Sequence, residues 1–270
     1  IQLGLEPIYK VDKNPLTWLD TMLNAVEHMN FFEGRATEYS KASTKGSWAE
    51  AFSWYLKVTY KTYWRKTGLK KDWGQVFLNI VSEHKPKVFL EVGVFCGVTA
   101  RNVCELLKEI NKNDFKYVGI DLFGQKSSKD EVVPEYLKKQ KFSNPLKNFF
   151  YNFILRENLN SYESVKNFLK KFSKNTTLIE GNSNIILKNL EIKDIDFVFL
   201  DGGHSFTTVY EDLNLIYEKI CNNKGSVLLC DDYEDSSYIT GVKKAVDKFV
   251  YEKNLKLDVI RGRFAKIIIQ

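Results

Sequence analysis

The sequence predicts an α/β fold: a Rossmann-like, doubly wound and mostly parallel seven-stranded sheet with an antiparallel last strand. Three observations carry that expectation. Lys87-Val-Phe-Leu-Glu-Val-Gly-Val-Phe-Cys-Gly-Val-Thr-Ala-Arg101 is an apolar, β-favouring run that reaches Glu91, passes two glycines and enters helical spacing at Val103, Leu106, Leu107 and Ile110. From about Gln75 onward, short apolar runs alternate with longer amphipathic stretches. The chain closes on two β-favouring runs split by Arg261-Gly262, which reads as a hairpin.

In chain order, the expected strands are Lys87–Val92, Lys116–Asp121, Thr176–Glu180, Ile195–Leu200 and Gly225–Asp231, followed by the closing pair Lys256–Ile260 and Arg263–Ile269. Between them, Phe206, Val209, Tyr210, Leu213, Ile216, Tyr217 and Ile220 form one apolar helical face, and Val242, Ala245, Val246 and Phe249 form another. Two segments stand outside this alternation. Residues 1–74 are aromatic-rich, with Trp18, Trp48, Trp54 and Trp64, and show helical pattern around Leu16–Phe32 and Ser47–Arg65. Residues 126–175 form a Lys-, Asn- and aromatic-rich insertion with Pro134 and Pro145 as breakers, expected to be mostly helical. The expected organisation is therefore a helical accessory segment, 1–74, and a main domain, 75–270, with a lid-like insertion at 126–175. Both extra segments are expected at the rim of the ligand crevice.

With 44% hydrophobic and 14% aromatic residues in 270, the chain can bury a large core, which excludes global disorder. No apolar run approaches membrane-spanning length and the first residues lack a signal-peptide pattern, so cytoplasmic placement is expected. The chain opens on Ile1 rather than Met, and further residues are expected upstream. Cys96, Cys104, Cys221 and Cys230 have no C-x-x-C spacing and sit in apolar surroundings, the pattern of buried reduced thiols. The net charge of +6 fits a Lys-rich surface or a site for an anionic substrate. No contiguous basic stripe or nucleic-acid-binding module is present, so nucleic acid is not the expected partner.

The glycine loop narrows the ligand. Its pattern is Gly93-x-x-x-Gly97, and Phe95 and Val98 occupy positions where a dinucleotide pyrophosphate needs bare backbone. A loop with an acid at its strand end and no phosphate nest suits a nucleoside with an amino-acid end, and S-adenosylmethionine (SAM) is such a ligand. Glu91 is then an acceptor for the amino-acid end. Asp121, ending the next strand, can accept both ribose hydroxyls. Glu180-Gly-Asn-Ser-Asn184 offers short polar groups to an adenine edge, although Gly-Asn-Ser is also an ordinary turn.

Phe199-Leu-Asp-Gly-Gly-His204 and Leu229-Cys-Asp-Asp-Tyr233 place Asp201, Asp231 and Asp232 at the ends of two expected strands. Three clustered carboxylates repel one another and raise each other's pKa values, a conflict that a hard divalent cation such as Mg²⁺ resolves. The plainer reading makes them caps of the helices that follow. His204, three residues past Asp201, is the expected general base, with Asp201 as its rival. His28 and His84 have no comparable setting.

On these motifs the chain resembles the class I SAM-dependent methyltransferases, and within them the metal-dependent O-methyltransferases. Leu90-Glu-Val-Gly-Val-Phe-Cys-Gly-Val-Thr99, with Trp73-Gly-Gln-Val76 before it, is similar to the donor loop of catechol O-methyltransferase. Asp201-Gly-Gly-His-Ser-Phe206, and Asp231-Asp-Tyr233 followed by Gly241-Val-Lys-Lys-Ala-Val246, are more like the macrocin O-methyltransferase branch, which acts on sugar hydroxyls. The resemblance covers roughly 73–270. It implies that Glu91, Gly93, Phe95, Gly97 and Thr99 line the methionine end of SAM, that Asp121 holds the ribose, and that Asn182 and Ser183 border the adenine. It also implies that Asp201, Asp231 and Asp232 hold the metal. Where catechol methyltransferases carry Lys, this chain has His204, which departs from a catechol site. The expected acceptor is a hydroxyl of a sugar or other polar metabolite, carried for instance on a nucleotide. Lys126, Lys129, Lys138, Lys139, Lys141 and Lys147 crowd the insertion and suit a diphosphate, or form a solvated face. Catechol-type or RNA methylation, and a homo-oligomer assembled through the accessory helices, are the alternatives.

Overall fold

Val88-Phe-Leu-Glu-Val92 forms strand β1 at the middle of the sheet, and four of its five residues are buried, as befits a strand covered on both faces. The computed structural model describes residues 59–124, 144–234 and 241–270. Parallel to β1 run β2 (Lys116–Asp121) on one side and β4 (Phe197–Leu200) on the other. Strand β3 (Thr176–Glu180) extends the sheet beyond β2, and β5 (Val227–Cys230) extends it beyond β4. Strands β6 (Leu257–Ile260) and β7 (Phe264–Ile268) form the closing hairpin, with β7 antiparallel to both β5 and β6. The order is β3-β2-β1-β4-β5-β7-β6, seven strands with the last antiparallel. The strand order reverses between β1 and β4, the kind of switch point at which open α/β sheets take their ligands.

Helices cover both faces. Helices α1 (Lys71–His84) and α2 (Val98–Asn111) belong to the face where Phe77, Phe89, Phe197, Phe199 and Phe264 form an aromatic core. Helix α3 (Pro145–Phe149) continues to Leu155 as a π-helix, which packs Tyr151 with Cys96 and Leu159 in a separate small cluster, and α4 (Tyr162–Phe168) adds Val165 to the aromatic core. The opposite core is aliphatic, built from β-strand Leu, Val and Ile residues against α6 (Phe206–Ile220) and α7 (Val242–Lys253), with α5 (Ser183–Asn189) alongside. The two expected apolar helical faces are those of α6 and α7: Val209, Leu213, Ile216, Ile220, Val242, Ala245, Val246 and Phe249 are all buried. Among the described residues no helix is long and apolar enough to cross a membrane.

The expected helix over Ser47–Arg65 is not formed in its described part. Residues 59–65 contain no helix, and Tyr63 and Trp64 have left-handed backbone, with φ of 49° and 61°. Tertiary bonds replace the helical ladder: Tyr60 N–H donates to Gln75 Oε1 at 3.0 Å and Lys61 N–H to Asn102 Oδ1 at 2.9 Å. Tyr60 and Leu69, ahead of the expected domain start at residue 75, are each 1% exposed in the aromatic core. The remainder of that expectation, the Leu16–Phe32 helix, Trp18, Trp48, Trp54, Lys126, Lys129, Lys138, Lys139 and Lys141 lie outside the described residues. Cys96, Cys104 and Cys230 are buried free thiols as expected, while Cys221 is only half-buried.

Candidate active site

The chain leaving β1 is shaped by close backbone contact with the chain leaving β4. Gly93 has φ of 97°, and a Cβ there would lie 2.0 Å from the Asp201 carbonyl oxygen. Only glycine permits both the left-handed turn and this approach. Phe95 follows, also left-handed at φ 51°. Asp121 holds that turn: its Oδ2 accepts the Phe95 N–H at 2.8 Å and its Oδ1 accepts the Phe123 N–H at 2.6 Å. Burial raises the Asp121 carboxyl above its usual range, and these backbone donors work against the rise. Gly97, left-handed at φ 74°, begins α2, whose first turn buries Thr99. Asp121 is thus a splint for the glycine loop.

Glu91 is fully buried beneath this loop, on the aromatic face of the sheet. The Tyr117 hydroxyl donates to its Oε2, while Oε1 has no partner. Burial pushes this carboxyl up to about 8. Asn182 caps α5 with its side chain, accepting the Asn184 N–H at 2.9 Å. Ser183 Oγ donates to Asp212 Oδ2 at 2.9 Å, and Asn184 Nδ2 donates to Asp212 Oδ1 at 2.7 Å. The fully buried Asp212 carboxylate on α6 therefore holds Ser183 and Asn184 of this turn against that helix.

The acids at the ends of β4 and β5 come together because Leu200 and Cys230 are register partners. Asp201, His204, Asp231 and Asp232 line one small cavity with Leu200, Gly203, Val209, Cys230 and Val242. Within it the carboxylates differ. Arg263, on the hairpin, forks onto Asp231, with Nε to Oδ1 at 2.6 Å and Nη2 to Oδ2 at 2.7 Å. Asp232 turns back on Asp231, its left-handed backbone (φ 53°) allowing its N–H to donate to Asp231 Oδ1 at 2.8 Å. His204 Nε2 lies 3.4 Å from Asp232 Oδ2. One ligand atom from each of Asp201, His204 and Asp232 falls within 4.8 Å of the others. Burial, then Asp231 and Asp232, push the Asp201 carboxyl well above its usual range. Two carboxylates and an imidazole are a donor set that a divalent first-row cation accepts.

The predicted residues accordingly fall into two neighbouring groups, Glu91 to Asp121 around the glycine loop and Asp201 to Asp232 around the cavity, joined where Gly93 meets Asp201. Asn182 and Ser183 occupy the turn beyond β3. Sequence reading missed Arg263, Asp212, Tyr117 and Arg65. Arg65 is buried, donating from Nε to the Cys96 carbonyl at 2.9 Å and from Nη2 to the Leu159 carbonyl at 2.7 Å and Ser164 Oγ at 2.8 Å. It braces the outer side of the glycine loop against residues 159–164. No local pattern marks any of the four, since their partners are distant in sequence.

A methyltransferase-domain family matches residues 90–233, which contain both groups. The chain belongs to this family. Its fold is similar to the SAH-bound methyltransferase PaMTH1 of Podospora anserina, with a TM-score of 0.50 at 17% identity over 88% of this chain and 95% of that one. It is similar also to an SAH-bound O-methyltransferase of Bacillus cereus, with a TM-score of 0.50 at 10% identity over 87% of this chain and 96% of that one. A stretch of 46 residues is 52% identical to a probable ribonucleoside-diphosphate reductase small subunit of Invertebrate iridescent virus 3. That stretch is 17% of this chain and spans only 12% of the viral protein, so a segment is shared and not a whole protein.

Proposed function

We propose that this methyltransferase moves the methyl group of SAM to a hydroxyl of a sugar or similarly polar metabolite, assisted by a divalent cation at the acid cluster. The observation that carries the reading is the contact of two groups: a glycine loop above a buried, half-satisfied Glu91, and a carboxylate–imidazole cluster one backbone contact away. In this reading the Glu91 Oε1 accepts from the amino-acid end of SAM, directly or through water. Gly93, Phe95, Gly97 and Thr99 line the methionine, Asp121 takes the ribose, and Asn182 and Ser183 border the adenine. The acceptor oxygen attacks the sulfonium methyl, a C–O bond forms, the C–S bond breaks with its electron pair left on sulfur, and the hydroxyl proton passes to His204 or to solvent water. Such a displacement gains chiefly from positioning. Asp201, Asp231 and Asp232 supply the carboxylates that would hold the cation and so position the hydroxyl, and His204 stands beside them, where it can serve as base or as nitrogen ligand. A bound divalent cation supplies charge that lowers the hydroxyl pKa.

A methyl-transfer screen over nucleotide sugars, free sugars, catechols and RNA, read by released S-adenosylhomocysteine, tests the proposal. Turnover with sugars that stops in excess EDTA and returns with Mg²⁺ or Mn²⁺ is expected. Turnover with catechols alone would overturn the acceptor class, and full turnover in EDTA would overturn the cation.

A further inference from the structure

The three carboxylates of the cluster are not equivalent, and the difference lies in Arg263. Both Asp231 oxygens are engaged by the guanidinium, at 2.6 and 2.7 Å, and one of them also accepts the Asp232 N–H at 2.8 Å. Asp231 is 3% exposed, so its negative charge is neutralised inside the fold by a resident cation. Arg263 Nη2 reaches Asp232 Oδ1 only at 3.6 Å, beyond hydrogen-bond distance, so Asp201 and Asp232 keep oxygens toward the cavity, and among the described residues no hydrogen-bond donor is placed on the Asp201 carboxylate. The third atom that converges with theirs is a nitrogen, from His204. Its place is built: Ser205 caps α6 through its hydroxyl, and the start of α7 presses against the same turn. A Cβ on Gly241 would lie 2.1 Å from the Phe206 nitrogen and 2.7 Å from the His204 carbonyl oxygen.

Resting on the cation of the proposed function, we infer that Asp201, Asp232 and His204 hold it, while Arg263 withholds Asp231 from coordination. His204 is then a ligand and not the base, and Asp231 with Arg263 is a positioning pair behind the site. An imidazole in the set also changes the choice of ion. Mg²⁺ favours an all-oxygen shell, whereas one nitrogen with two carboxylates suits Mn²⁺, Fe²⁺ or Co²⁺.

Pulsed EPR of the full chain loaded with Mn²⁺, with calorimetry for affinity, tests this without turnover. The expected spectrum of the unaltered protein shows ¹⁴N modulation from a coordinated imidazole, absent in His204→Ala and His204→Gln. Mn²⁺ is expected to bind at least about tenfold more tightly than Mg²⁺, and Asp232→Asn to lose on the order of tenfold or more in Mn²⁺ affinity. Asp231→Asn is expected to keep the ¹⁴N signal. Mn²⁺ bound without ¹⁴N modulation would overturn the inference and leave the cation reading standing. Failure of the unaltered protein to bind Mn²⁺ or Mg²⁺ would overturn both.

Discussion

At the residue scale, Glu91 is the group most out of place by ordinary burial rules, a carboxyl held in an aromatic core with one oxygen unpartnered. Its titration gives a sign that differs from that of a salt-bridged acid. Its folded value, about 8, lies above its usual value of 4.5, so between those limits the folded chain binds a proton that the unfolded chain has released. Stability is therefore fully present below about pH 4.5 and falls as pH rises towards 8. Glu91→Gln, which cannot ionise, is expected to flatten this part of the profile, so the variant gains on the unaltered protein as pH rises. Thermal melts of both from pH 5 to 8 decide it: a constant difference in Tm would mean that Glu91 is ionised throughout. Asp121 makes a second case. Because it holds the Phe95 and Phe123 amides, Asp121→Ala should weaken S-adenosylhomocysteine binding by more than its own ligand contacts account for. Asp121→Asn keeps one acceptor oxygen and should lose less. Calorimetric titration showing equal affinities for the two variants would remove the splint from the account.

At the scale of elements, the Asn182–Asn184 turn and α6 are joined by Asp212, whose two oxygens take Ser183 and Asn184. Hydrogen bonds to a buried charge are worth about 1.5–3 kcal/mol each, and they share one anchor here. Asp212→Ala is expected to cost about 2–4 kcal/mol in urea unfolding; a loss below about 1 kcal/mol would show the turn to be held otherwise. The strands were legible in the sequence, because buried parallel strands are apolar runs whose acids mark their ends. Val88–Val92, Lys116–Asp121 and Thr176–Glu180 differ from expectation by at most one residue. The apolar faces of α6 and α7 were legible for the same reason, since helical spacing exposes its own period. Residues 59–65 were not, because aromatic spacing there reflects burial of Tyr60 against Gly74 and Gln75 and not a helix face. Of the candidate site, the glycine loop and the acids could be placed because each stands at the end of a strand that is itself legible. Arg263 and Asp212 could not, since each meets its partner about thirty residues away through sheet register or helix packing.

At the scale of the whole molecule, ligand binding should appear as added stability. A ligand at 100 times its Kd that binds only the folded chain contributes about 2.7 kcal/mol. S-adenosylhomocysteine and Mn²⁺ should thus each raise Tm. Their effects should depart from additivity, since the backbone of Gly93 in the glycine loop meets that of Asp201 in the acid cluster. Differential scanning fluorimetry with each ligand and with both provides the check, and no shift with S-adenosylhomocysteine would remove the donor site.

Arg263 also ties the charge balance of the acid cluster to the order of synthesis. It lies on the hairpin between β6 and β7, and β7 is the strand that fills the gap between β5 and β6. A nascent chain that has emerged only through α7 already carries every acid of the cluster, yet β5 has no neighbour on its outer side and Asp231 has no counter-ion. Translation has to run through the last strand before those charges are balanced. A polypeptide released early would keep those charges unbalanced, and its bare β5 edge would be open to capture by a chaperone or a protease.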